Sequence, residues 1–383
     1  MHLYLRYLFF FSLPTLSVFG QVPNYSISEV ISLDSLIHAA PSMALRAVDY
    51  PHANLDSMRL GKKVVDKVAI SSLAQQFFND LRYGNKVPDL RYKGIKVERK
   101  DVLINQNFTS LANHLNSESP EVLQLLAVLR DSLDWPIEKK NLVTKAVNEY
   151  RWMYALRLSG PLVVVNIPSA TLRMFEGAVA EAKMKVILGR ASRPSKTLIS
   201  PLSTLILTPH WYVPRSISVG ELVPEIRKNI RYFYASHLEI FDLKGRKLAP
   251  EKVPWSRLGK NYFPYTMRQR TGKWNTLGIM KFQFANPFLM YLHDTSEKKL
   301  FQKEKRFYSH SCIRVERPLD LGRFLLKPQT KAIDTLDVAA SYADHPQRYI
   351  KIKRTIPLLI WYSLVDFDAK GQVQFYPNIY QKN

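Results

Sequence analysis

One cysteine, Cys312, occurs in 383 residues. An internal disulfide is therefore excluded. Acidic side chains are also scarce: 32 Asp and Glu stand against 55 Lys and Arg, giving a net charge of +23. The basic residues are spread along the chain and form no single block. Nucleic acid, an anionic membrane surface and an anionic cell-wall polymer are the partners such a balance suits, and plain solubility is the other reading. His38, His52, His114, His210, His237 and His345 show no metal-ligand spacing, so no metal or other cofactor is expected. There is no low-complexity tract. Beyond the first twenty residues no stretch is apolar enough to span a bilayer.

The exception at the start has the form of an export signal. Arg6 is followed by an apolar core, Tyr7–Leu13, and then by the small residues around Val18-Phe19-Gly20. Residues 1–20 are expected to be a signal peptide cut near that point, with an uncleaved anchor as the alternative. No cysteine follows the core, so no lipid anchor is expected there. Export to the periplasm or cell envelope argues against nucleic acid. It leaves a polyanionic wall as the plainest partner, with the protein peripheral to the membrane at most. An unpaired thiol in an oxidising space reads as a nucleophile. The alternative is a small buried apolar residue.

The chain changes texture once. Residues 21–158 read as a helical scaffold domain, with helices near 30–37, 62–83, 108–115, 120–133 and 138–158. Leu123, Leu126, Leu129 and Leu133 form one expected core stripe, and residues 86–105 read as loop. From Gly160-Pro161, short β-type runs follow at 162–167, 171–176, 183–188, 202–207 and 211–213. Residues 215–262 mix charge with apolar positions and read as a cap inserted into the β-rich domain, or as part of that domain. Helices are expected at 318–326 and 330–342, and closing strands at 355–362 and 373–376. The fold class is α+β: a helical region, then a β-rich domain spanning 159–383.

Chemistry concentrates at 291–316. Phe288–Leu292 reads as a strand that places His293 at its C-terminal end. Residues 296–308 are long enough to cross over and return. Cys312 then opens a second apolar piece, Cys312-Ile313-Arg314-Val315. Two adjacent strand ends would bring thiol and imidazole together, and a thiol needs such a base to become a thiolate. His310 is a competing base, less favoured than His293. Asp294 is expected to orient backbone, because adjacent strand side chains diverge.

These residues resemble the L,D-transpeptidase catalytic family of the YkuD type, in its larger periplasmic members. Tyr291-Leu-His293-Asp294-Thr295 and Ser309-His310-Ser311-Cys312-Ile313-Arg314 stand in the places of its histidine and its Ser-His-Gly-Cys segment. Trp211-Tyr-Val213-Pro214 is similar to its Trp-x-Val-Pro. Thr271-Gly272-Lys-Trp-Asn275-Thr-Leu277-Gly278-Ile-Met-Lys281-Phe282 is similar to a further segment, with Thr271 in place of proline. Val165-Asn-Ile-Pro168 is similar to its first strand, and Asn378-Ile-Tyr380 replaces Asp-Ile-Tyr near the end. Ser311 replaces the glycine before the nucleophile.

The resemblance implies a peptidoglycan L,D-transpeptidase. Cys312 would take an acyl group from a tetrapeptide stem, release D-alanine and form 3→3 cross-links, with His293 as base. Ser311 and Cys312 backbone N–H groups would hold the oxyanion, with Tyr291 as an extra donor. Arg314 would bind a substrate carboxylate or form an ion pair that orients the loop. Trp211 would line the cleft or belong to the core. Carbapenem acylation of the cysteine is also implied. The competing readings are an L,D-carboxypeptidase using water, another exported cysteine peptidase or amidase, and an inactive wall-binding scaffold.

Overall fold

Side-chain caps set the helix starts of the N-terminal region. Ser26 and Glu29 form a reciprocal capping box on α1 (Ile27–His38). Asp66 accepts from Val68 and Ala69 at the start of α2 (Lys67–Tyr83). Asn107 and Ser119 do the same for α3 (Phe108–Ser117) and α4 (Pro120–Arg130). Gly84 ends α2 at φ 71°, and a Cβ there would meet Asn148 O of α5 (Ile137–Leu158) at 2.2 Å. The computed structural model describes residues 25–51, 55, 66–85, 88–96, 99–102, 104, 107–334, 346–368 and 370–381. The signal-peptide reading of residues 1–20, the start of the expected helix 62–83 and most of the expected helix 330–342 lie outside them. No helix among the described residues is long and apolar enough to cross a membrane.

α1, α2 and α3 bury Leu33, Ile37, Phe77, Phe78, Phe108 and Leu111 in a core of their own, each side chain contributing about 1.5–3 kcal/mol. The leucine stripe on α4 is displaced from expectation. Val122 and Leu125 face inward, whereas Leu123 is 53% and Leu133 82% exposed. The helix also stops at Arg130.

Strands then run in chain order. The N-terminal region supplies β1 (Tyr92–Lys93), inside the stretch expected to be loop. The large sheet continues with β2 (Leu162–Asn166), β3 (Thr171–Glu176), β4 (Val179–Gly189) and β5 (Leu198–Leu207). A second sheet holds β6 (Trp211–Tyr212), β7 (Leu238–Asp242), β8 (Lys247–Leu248) and β9 (Tyr265–Gln269). The chain returns to the large sheet with β10 (Met280–Phe284), β11 (Leu292–His293), β12 (Phe307–Ser309), β13 (Ile313–Val315) and β14 (Arg348–Trp361). β15 (Val365–Phe367) and β16 (Val373–Phe375) form a closing hairpin.

The neighbours run β5-β10-β11-β13-β4-β3-β2-β14, and β14 pairs back to β5, so eight strands form a closed ring. Its interior holds Val163, Val165, Leu172, Leu188, Phe282, Leu292 and Ile313, and α8 (Pro318–Leu326) adds Leu321 and Phe324. The opposite side chains of the same strands, Leu162, Val164, Phe175, Leu359 and Trp361, pack on Val143, Val147 and Tyr150 of α5. Strands buried on both sides read as the unbroken apolar runs seen here, such as Leu162-Val-Val-Val165. Helix and ring are pinned by Asp366, which is fully buried. It accepts from Tyr150, Asn166 and Ser169 and pairs with Arg173 at 2.8 Å.

The cap draws strands from both sides of residues 215–262 and has its own core, with Ile217, Val223, Phe233, Ile240 and Met267. Its helical stretch opens at Arg215–Ile217 and passes through a π turn over Ser218–Leu222. It continues as α6 (Val223–Lys228), with α7 (Arg231–Ala235) after it. The fold is thus α+β, with a helical N-terminal region, a mixed β domain and an inserted cap.

Candidate active site

Strand alternation sorts the side chains of β10, β11 and β13. Met280, Phe282, Leu292, Ile313 and Val315 point into the ring. Lys281, Tyr291, His293, Cys312 and Arg314 therefore share the outer face. β11 and β13 lie side by side and parallel, pairing Leu292 with Ile313 and His293 with Arg314. On the other side Lys281 pairs with His293. Tyr291 stands directly opposite Cys312, and the Ile313 N–H donates to Tyr291 O at 3.1 Å.

The segment before β11 departs from the expected strand, which has only two residues. Asn286 organises Phe288–Met290 as a tight loop. Its Oδ1 accepts from the N–H groups of Phe288 and Met290, and its Nδ2 donates to the carbonyls of Phe284 and Met290. Leu289 sits at φ 55° with its side chain exposed, and its carbonyl lies 3.9 Å from the Cys312 sulfur. Asn286-Pro287 is a turn signal that outweighs the apolar run behind it.

His293 is buried, and its Nδ1 donates to the carbonyl of Asp294. That bond fixes the neutral tautomer and leaves Nε2 with a free lone pair. Burial first, then Arg314, drives its pKa down to about 3, against the opposing pull of the Asp294 carbonyl. The Asp294 carboxylate accepts from the Ile279 N–H at 3.0 Å and pairs with Lys298, so it serves backbone. Gly278 sits at φ 57° against that carboxylate, where a Cβ would approach Asp294 Oδ2 to 2.3 Å.

Burial raises the Cys312 thiol above its ordinary range. The Tyr291 backbone N–H and hydroxyl act oppositely by hydrogen-bonding the sulfur, and Lys281 and Arg314 add their charge. Trp211 in turn lies beside the Tyr291 hydroxyl and opposes the rise that burial gives the phenol. Among the described residues no hydrogen bond joins Cys312 to His293. They are diagonal neighbours, about 7 Å apart at Cβ in such pairs, and catalytic bonds commonly tighten only when substrate arrives.

The loop carrying the cysteine is braced by residues 189–195. The Arg190 N–H donates to Ser309 O at 3.0 Å, the Ser195 hydroxyl to Ser311 O at 2.7 Å, and the Ser311 hydroxyl to Arg193 O at 3.3 Å. Ser311 is held at φ 92°, a region that favours glycine. Among the described residues, no acceptor faces the backbone N–H of Ser311 or Cys312.

Residues 160–333 match YkuD, the L,D-transpeptidase catalytic domain. Over that span, 174 of the 383 residues, the chain is similar to the L,D-transpeptidase catalytic-domain family. A Haemophilus influenzae protein provisionally named as an L,D-transpeptidase is 32% identical over 165 residues, which is 43% of this chain and 33% of that protein. The match thus spans a third of the curated relative's length. An L,D-transpeptidase from Mycobacterium smegmatis and an L,D-transpeptidase in complex with imipenem each overlap 52% of this chain and 58% of their own at 13% identity. Their TM-scores are 0.24 and 0.21, too low to establish a shared arrangement.

Within the matched span the outer face gathers Cys312, Tyr291 and His293, with Trp211 of the cap sheet beside Tyr291. Arg314 is present too, but its guanidinium pairs with Glu297, and its buried Nε has no partner among the described residues. His310 turns away from the thiol, to Glu221 of the cap at 2.7 Å. Lys281 was not among the expected site residues. Its ammonium lies 4.0 Å from the centroid of the Tyr291 ring, and burial lowers its pKa. The signal was a lysine between the inward Met280 and Phe282, which had to face the other way.

Proposed function

We propose that the protein is an exported peptidoglycan L,D-transpeptidase working through a Cys312 thioester. The observation that carries this reading is the chain's single thiol, at the residue before β13 and diagonal to a neutral imidazole with a free Nε2, inside a span that matches that family's domain. The donor is a tetrapeptide stem. His293 takes the thiol proton as the sulfur attacks the carbonyl joining the third residue to D-alanine. The N–H groups of Ser311 and Cys312 hold the oxyanion, helped by Tyr291. Arg314 and Lys281 disfavour an imidazolium, so the proton passes on to the departing D-alanine nitrogen. Collapse leaves a thioester on Cys312. The side-chain amine of a second stem then attacks, its proton leaves through His293, and a 3→3 bond forms as the thiol is restored. The same thiol would be acylated by carbapenems. The net charge of +23 suits a polyanionic wall.

The test is intact mass spectrometry of the protein with disaccharide-tetrapeptide, alongside Cys312→Ala and His293→Ala, with muropeptide analysis of the products. An acyl adduct lost in both variants and a 3→3 dimer are the expected results. Tripeptide without dimer would assign water as the acceptor. No adduct and no D-alanine release from folded, reduced protein would overturn the reading.

A further inference from the structure

Against residues 309–311 lies a second cluster that the mechanism above does not use. Arg190 and Arg193 project from the turn that braces the cysteine loop, and His310 stands two residues before Cys312. All three converge on one carboxylate, Glu221, in the π turn of the cap. His310 Nε2 donates to Glu221 Oε1 at 2.7 Å. The two guanidiniums stand 4.0 and 3.9 Å from the same oxygen, outside hydrogen-bond distance. Arg190 Nη2 lies 3.3 Å from His310 Nε2, a close approach of two donors once that nitrogen is committed to Glu221. The cluster is partly open to solvent, with side-chain exposures of 44% for Arg190, 39% for Arg193 and 41% for Glu221.

Among the described residues, two fixed positive charges therefore share one negative charge, and neither guanidinium uses its fork on a carboxylate. A planar fork is built to grip a carboxylate with two hydrogen bonds. The turn that carries both forks is hydrogen-bonded to Ser309 and Ser311, within three residues of the nucleophile. Gly189 allows this: a Cβ there would meet Arg193 O at 2.2 Å, so the backbone folds tightly enough to carry both arginines against residues 309–311. Among the described residues, π geometry occurs only in the turn that bears Glu221. Such turns are single-turn insertions that re-aim side chains, frequently at functional sites.

We infer that Arg190, Arg193 and His310 form the receptor for a free carboxylate of the donor stem, and that Glu221 occupies it as an intramolecular stand-in which the substrate displaces. This rests on the transpeptidase reading for the identity of the ligand. The receptor itself rests on the cluster. Binding then requires the cap turn to release His310, so occupancy of the receptor and movement of the cap are one event. The terminal D-alanine carboxylate and the side carboxylates of the stem share this chemistry.

The experiment measures equilibrium binding of tetrapeptide stem to Cys312→Ala protein, which cannot turn over. Glu221→Gln in that background should bind about fivefold tighter, and Arg190→Ala/Arg193→Ala about tenfold or more weaker. A stem amidated at its terminal carboxyl and one amidated at its side carboxyls identify the group. The one that no longer distinguishes the arginine variant from its parent has lost the carboxylate in question. Stem that binds all three proteins alike would overturn the inference. Should no stem bind any of them, alkylation of wild-type Cys312 by iodoacetate and by iodoacetamide decides the receptor separately. The iodoacetate-to-iodoacetamide rate ratio is expected to rise in Glu221→Gln and to fall in the double arginine variant, with iodoacetamide alone unchanged. A ratio unmoved in both would overturn it, while a ratio that moves as expected would leave the receptor standing and remove the stem as its ligand.

Discussion

Glu149 offers a sharp quantitative test of the packing between α5 and the ring. It is 4% exposed, its Oε2 has no partner among the described residues, and the Ser363 hydroxyl and the charge of Lys145 compensate only in part. Burial dominates and raises its pKa from 4.5 to about 7. The folded state therefore holds a proton that the unfolded chain has already lost between those values. Stability is full below the unfolded value, falls as pH rises from 4.5 towards 7, and is level above. At about 1.4 kcal/mol per pH unit the loss is about 3 kcal/mol. Glu149→Gln keeps the shape and a hydrogen-bonding head but cannot ionise. Urea unfolding at pH 4 should find the two proteins alike. At pH 8 the variant should be more stable by up to about 3 kcal/mol. A variant no more stable than wild type at pH 8 would refute the claim that an incompletely compensated carboxylate is buried there.

Three further outcomes follow from the site and its supports. In the free protein, iodoacetamide alkylation of Cys312 should rise with pH through a midpoint above the ordinary thiol range. Lys281→Met should move that midpoint higher still, because a cation that favours the thiolate is gone; a downward move would contradict the placement of Lys281. Ser311→Gly relieves the φ of 92° but loses the hydroxyl contact to Arg193 O. Stability should stay level or rise by up to about 1 kcal/mol with acylation retained, and a tenfold loss of acylation would show that the side chain itself is needed. Asp366→Ala strands Arg173 in the interior and should cost about 3–5 kcal/mol in urea unfolding, while activity per folded molecule is unchanged.

What could be read from the residues alone followed local pattern. The apolar runs at 162–167 and 171–176 gave β2 and β3 almost to the residue, because each alternates or stays apolar over its whole length. The thirteen residues between Thr295 and Ser309 were long enough for a crossover, which is what places β11 beside β13 in parallel. Register was not legible. Lys281 matters because it pairs with His293, and Glu221 because a cap turn some ninety residues upstream reaches His310. Neither relation leaves a trace in local spacing. Phe288–Leu292 misled because its composition suits a strand, while one asparagine side chain satisfies the backbone as a loop. α5 was legible as a helix, but its burial was not. It is packed on more than one side, so Glu149, Arg151 and Arg157 are buried along with its apolar residues, and a single stripe understates its contacts. β1 is two residues long, too short to carry any period.

The closure of the ring bears on where this protein can be cut. The family match stops at residue 333, and β14, which joins β2 to β5, runs from 348 to 361. A fragment trimmed to the match would leave β2 unpaired along one edge and β5 short of a neighbour. It would also lose Leu358 and Ile360 from the interior, and Leu359 and Trp361 from beneath α5. Raw strand edges beside uncovered apolar surface recruit other chains. The matched segment alone therefore does not close its own sheet. The smallest piece that seals its own sheet reaches from α5 through β14, and keeping β1 brings the helical region with it.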